Sequence, residues 1–173
     1  DQIKVALGDD LGSDAASNIR VVGKLTEQFS LATKNGVSFE QAMLQTGSAI
    51  NKLSASGSAQ AEFLVNFAKR LSGVATQADI GIESVLAYAA TLDEAGQNVE
   101  VSATTINKVL TKMFSDTEAF AEIAGIGVED FSQILNTDAD QAFTLFLKGL
   151  NEGNGSLQEL VAKLGDADLQ GTR

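Results

Sequence analysis

Carboxylates are the side chains in this sequence with the number and chemistry to build a reaction or metal centre. The 173 residues carry 23 Asp and Glu against 12 Lys and Arg, a formal charge of -11, with no His and no Cys. Without those two residue types there is no serine-histidine-aspartate triad, imidazole base, thiol nucleophile, disulfide framework or usual zinc site. Asn136, Asp138 and Asp140 alternate as calcium ligands do, but an EF-hand needs glycine and then glutamate where Gln141 and Leu147 stand. They are better explained as a helix start, where negative charge is favoured. Asp166, Asp168, Gln170 and Gly171 open with closer spacing, yet the chain ends before the bidentate glutamate, and a solvated terminal linker is the better account.

A wall-degrading glycosidase would need two carboxylates held about 5 to 9.5 Å apart. Glu83, Asp93, Glu94, Glu100, Glu122 and Glu129 are available, but there is no Trp and a single Tyr for sugar stacking. No catalytic, cofactor-binding or metal-binding residue is therefore assigned, and no cofactor is expected. What remains are aromatic pairs. Phe63 with Phe67, and Phe143 with Phe146, sit four and three residues apart, so each pair shares one helix side. With Tyr88 they are candidate core or interface anchors; core packing is the default, and exposure as one patch would favour a partner.

The elements that must carry these residues read as helices. Proline is absent and 16 Gly punctuate the chain. From an N-cap at Ser13, with Asp14 in the first turn, the stripe Ala15, Ile19, Val22, Leu25, Phe29 predicts one helix ending by Asn35-Gly36. Ser38 and Gln41 form a capping box, with Val37 as staple. Phe39, Met43, Ile50 and Leu53 continue the period to Gly57. Further helices are expected from Ser58 toward Gly73, from Ile82 to Gly96, over Val101 to Phe114, around Phe120 to Ala124, from Glu129, from Thr137 or Asp138, and over Leu157 to Leu164. The β-branched run Thr104-Thr105-Ile106 is too short to outweigh this spacing.

The expected fold is all-α: a compact bundle or array of about eight short amphipathic helices joined by glycine turns. Surface scaling buries about two-thirds of a chain this size, enough for one domain and, second, for two helical lobes. Residues 1–12 read as a linker or partial element, 13–165 as the helical module and 166–173 as a terminal linker. The chain opens at Asp1 without Met or a signal-like segment, as a piece of a longer protein would. No apolar run approaches the roughly 20 residues of a membrane span, and the acidic balance disfavours nucleic acid and anionic membranes. Ile80-Gly81-Ile82-Glu83 echoes Ile126-Gly127-Val128-Glu129, and Asn35-Gly36-Val37 also precedes a helix. Glycine would make the turn, the apolar residue anchor the chain and glutamate favour the helix start.

The stretch from Ala49 to Leu164 resembles the helical core of phage tail tape measure proteins. Its most specific part is Ile82-Glu83-Ser84-Val85-Leu86-Ala87-Tyr88-Ala89-Ala90-Thr91-Leu92-Asp93-Glu94-Ala95-Gly96. Val101 to Phe114, Phe120 to Phe131, Gln141 to Leu150 and Leu157 to Gly165 follow in the family's order. The resemblance implies a structural protein of the tail-tube lumen, present in the host cytoplasm during assembly and helping to set tail length. Implied partners are tube and tail-tip proteins, assembly chaperones and other copies of the chain. No catalytic constellation transfers. Glycines interrupt every plausible heptad register, so the segment is expected to be a folded module within or beside the ruler. The alternative reading is a helical adaptor for a protein partner outside phage assembly.

Overall fold

A computed structural model of the chain describes residues 15–57, 59–153 and 155–156. Among them are nine helices and no strand: α1 (Ala15–Gln28), α2 (Leu31–Asn35), α3 (Phe39–Ser56), α4 (Ala61–Gln77), α5 (Ile82–Glu94), α6 (Val99–Ser115), α7 (Thr117–Ala124), α8 (Val128–Thr137) and α9 (Ala139–Glu152). The expected cap at Ser13-Asp14, the start at Ser58, the helix from Leu157, the terminal Asp166–Gly171 pattern and both proposed linkers lie outside the described residues.

The helix stops follow a repeated local device. Gly36, Gly96 and Gly125 have φ of 63°, 70° and 70°, the left-handed region that glycine enters without steric cost. In each case this residue and the next donate N–H groups backward over the last turn. Gly36 bonds the Thr33 carbonyl at 3.3 Å and Val37 that of Ala32 at 3.0 Å. Gly96 and Gln97 reach Asp93 and Leu92 at 2.8 and 3.0 Å, and Gly125 and Ile126 reach Glu122 and Ala121 at 3.1 and 3.2 Å. These are paired closures that satisfy otherwise orphaned carbonyls.

Two residues after each left-handed glycine stands an N-cap. The Ser38 hydroxyl accepts from the Gln41 N–H at 3.2 Å, and the Asn98 side-chain oxygen accepts from Glu100 and Val101 at 2.9 and 3.2 Å. Gly127 takes the same place in extended backbone, φ -62° and ψ 147°. A fourth junction has Asp79 at φ 54° followed by extended Gly81. The sequence echo is therefore real in structure, but its glycines do different work from that expected. Gly81 and Gly127 are extended caps; Asp79 and Gly125 make the turns. The junction Gly96-Gln97-Asn98-Val99-Glu100 escaped the sequence comparison because Gln97 and Asn98 replace the apolar residue and glycine. Glu40, Glu83, Glu100 and Glu129 all occupy first helical turns, where the helix dipole favours them.

Two expected boundaries move. The helix from Ala15 does not run to Asn35: it breaks at Ser30, a non-glycine residue at φ 52°, leaving α2 as a separate five-residue turn. Gly73 does not end its helix; α4 continues through it to Gln77. A Cβ added at Gly73 would meet nothing within 4 Å. Gly73→Ala is therefore expected to stabilise the protein by about 1 kcal/mol, the helix-interior difference between the two residues. A rightward shift of the urea midpoint at unchanged slope would show it; a leftward shift would refute open space at that face.

The chain divides into two compact units, 1–77 with 81–103, and 78–80 with 104–173, the division falling within α6. In the first, α1 packs on α2, α3 and α4, while α5 packs on α3 and α4. Val22, Leu25, Ile50, Leu64, Phe67, Leu71, Val85 and Leu86 are buried there. Two threonines are also buried, each satisfied by its own helix: Thr26 Oγ1 donates to the Val22 carbonyl at 2.8 Å and Thr46 Oγ1 to that of Ala42 at 2.9 Å. In the second, α7, α8 and α9 pack mutually around buried Phe120, Phe131, Phe143 and Phe146.

Candidate functional site

Two of the carboxylates weighed for a reaction centre, Asp93 and Glu100, tie helices together. Asp93 Oδ2 accepts from the Gln60 backbone N–H at 2.5 Å, tying the start of α4 to the end of α5. Glu100 Oε1 lies 2.6 Å from Arg70 Nη2 in an exposed pair joining α4 to α6. Asp138 caps α9, its Oδ1 accepting from the Gln141 N–H at 3.0 Å, while Asn136 Nδ2 donates to the Ser132 carbonyl at 2.8 Å. The alternating Asn136–Asp140 pattern is thus a helix end followed by a helix start. Among the described residues no group of three or more His, Cys, Asp or Glu could hold a metal ion.

The aromatic anchors fall into two settings. In α4, Phe63 and Phe67 lie 6.3 Å apart with rings nearly parallel; Phe67 is fully buried and Phe63 half-buried. Tyr88, on α5, is half-buried. In α9, Phe143 and Phe146 are 6.2 Å apart and both fully buried. Phe146 also meets Phe120 of α7 at 4.9 Å, the tightest of these ring contacts. Phe120 was placed on a helix from sequence but not paired with α9, because such a contact joins distant positions and leaves no local spacing.

Apolar surface appears elsewhere. Ile19 and Phe39, expected on buried stripes, are 38% and 48% exposed, so the stripes of α1 and α3 are longer than the surfaces covering them. Val101, Phe114 and Val128 are also exposed. No described helix is long and apolar enough to cross a membrane.

Short capped helices packed around aromatic cores, with Asp93 and Glu100 in interhelix ties and Asp138 in a cap, define a helical scaffold. The model of the phage-related minor tail protein family matches residues 3–167. The chain belongs to that family, a family of phage tail structural proteins. Comparison with curated proteins and with solved structures found no match.

Proposed function

We propose that the chain is a folded module of a tail tape measure protein, acting in tail assembly and length determination through protein-protein contacts. The observation that carries this reading is the family match across 3–167 of the 173 residues, on a chain whose ordered helices resemble the tape measure core. Its working places are the host cytoplasm during assembly and then the lumen of the tail. Its partners there are tube subunits, tail-tip proteins, assembly chaperones and other copies of the chain.

Helix arithmetic separates two duties. Even as one unbroken helix, 173 residues would reach only about 260 Å, and the left-handed breaks at Gly36, Gly96 and Gly125 shorten that sharply. A docking or organising role beside the ruler fits a chain folded into compact units. Deleting residues 15–153 in frame from the parent gene tests it, with tails measured by electron microscopy. Absent tails or tubes of unregulated length are expected. Uniformly shortened tails would make the segment part of the ruler, and normal virions in normal yield would overturn any role in assembly.

The charge of -11 supports a second feature of this reading. A lumenal protein must release the genome that passes through the same channel, and excess carboxylates repel phosphate. The chain is expected to leave duplex DNA unbound at low salt in an anisotropy titration. Micromolar affinity would sink that expectation.

A further inference from the structure

We propose that Asn35-Gly36 is a modification site: the Asn35 side chain deamidates in the folded chain, with water as co-reactant, and the isoaspartate that forms opens the corner between α2 and α3.

The chemistry needs only these two residues and water. The Gly36 backbone nitrogen attacks Asn35 Cγ; the new C–N bond closes a succinimide ring, the nitrogen gives up its proton and the side-chain amide leaves as ammonia. Water then opens the ring. Addition at Cγ breaks the new bond and gives aspartate, whereas addition at the Asn35 backbone carbonyl carbon breaks the original peptide bond and leaves isoaspartate, with the chain running through the former side chain. A following residue without a Cβ hinders this ring least. Among the described residues Asn35 is the only asparagine followed by glycine; Asn154 also precedes one but lies outside them.

The corner leaves both reacting groups accessible. Asn35 and Gly36 are exposed, and a Cβ added at Gly36 would meet nothing within 4 Å, so there is room for the ring and for water. The Gly36 N–H donates to the Thr33 carbonyl at 3.3 Å, longer than the corresponding bonds at Gly96 and Gly125, 2.8 and 3.1 Å, and outside the ordinary range of about 2.7 to 3.2 Å. With five residues after the left-handed Ser30, α2 is a single turn, too short to sustain itself as an isolated helix. Such a segment opens locally without unfolding of the unit around it, and that frees Asn35 from helical geometry so that Cγ reaches the nitrogen.

The consequence follows from the same hydrogen bonds. Both that close α2, Gly36 to Thr33 and Val37 to Ala32, span the Asn35–Gly36 link. Isoaspartate lengthens the backbone there, and either product places a carboxylate at the negative end of the helix. The closure is lost, and with it the fixed lead into the Ser38 cap of α3. The change is irreversible and accumulates with the age of the molecule. It goes beyond the tape-measure reading and does not rest on it.

Peptide mapping by mass spectrometry of the full 173-residue chain, aged in the folded state at mildly alkaline pH, provides the test. Position 35 should convert about tenfold or more faster than Asn151, which is also exposed, near the end of α9, but precedes Glu152. The rate should rise with pH, since the attacking nitrogen must lose its proton. It should stay within about a thousandfold of the rate in denaturing urea; a route that needs global unfolding would be slower than this at ordinary domain stability. In hydrogen exchange the aged chain should lose protection over residues 31–38 while α4 and α5 keep theirs. Aged Asn35→Gln, whose longer side chain closes the corresponding ring poorly, should lose none. No conversion at position 35, conversion only as fast as global unfolding permits, or a converted chain whose corner keeps its protection would each overturn the proposal.

Discussion

Gly149→Ala is expected to destabilise the second unit by about 2 kcal/mol, although alanine is the better helix former. Gly149 lies within α9, where an added Cβ would fall on the Ile123 carbonyl oxygen, 2.8 Å from its carbon and 2.9 Å from Ala124 Cα. These are backbone atoms at the end of α7, with no flexible side chain to swing aside. Overpacking costs about 1 to 3 kcal/mol and sometimes more, while the propensity gain returns only about 1. The displaced helices also share the ring contact between Phe120 and Phe146. Hydrogen exchange should show lost protection over α7, α8 and α9, with α1 to α5 retaining theirs. Unchanged protection would mean that α7 and α9 do not approach at backbone distance.

Phe146→Ala carries the other large effect, a loss of about 3 to 5 kcal/mol. Its ring is completely buried and touches two others, Phe120 at 4.9 Å and Phe143 at 6.2 Å, so truncation leaves a cavity and removes two aromatic contacts. For a small helical unit such a loss approaches the whole of its stability, typically 5 to 15 kcal/mol for a domain. The same truncation at half-buried Phe63 should cost less than half as much. Urea unfolding of the two variants compares them; similar midpoints would remove Phe146 from the centre of the core.

How far the sequence reaches depends on the range of the interaction being read. The N-cap at Ser38, bonded to Gln41, and the cap at Asp138 were legible because the hydrogen bonds closing them span three residues. The break at Ser30 was not, since nothing in Phe29-Ser30-Leu31 announces a left-handed serine, and the apolar stripe continues across it. The junction at Gly96 shows the reverse failure. Its geometry matches that at Gly125, but two side chains differ, and comparison of residue types missed a device held by backbone hydrogen bonds. At the surface, the candidate aromatics were visible as helix-spaced pairs, whereas the exposure of Ile19 and Phe39 was hidden, because burial is conferred by the neighbouring element.

The sequence by itself determined an acidic, all-helical scaffold without histidine or cysteine, because residue chemistry, helical period and caps are properties of short stretches of chain. Only tertiary structure decided which positions on each apolar stripe are covered, and which glycine is indispensable. Gly73 and Gly149 both sit inside amphipathic helices, yet one faces open space and the other a crossing backbone. The difference comes from a segment more than twenty residues away in the chain, packed close enough to exclude a single methyl group.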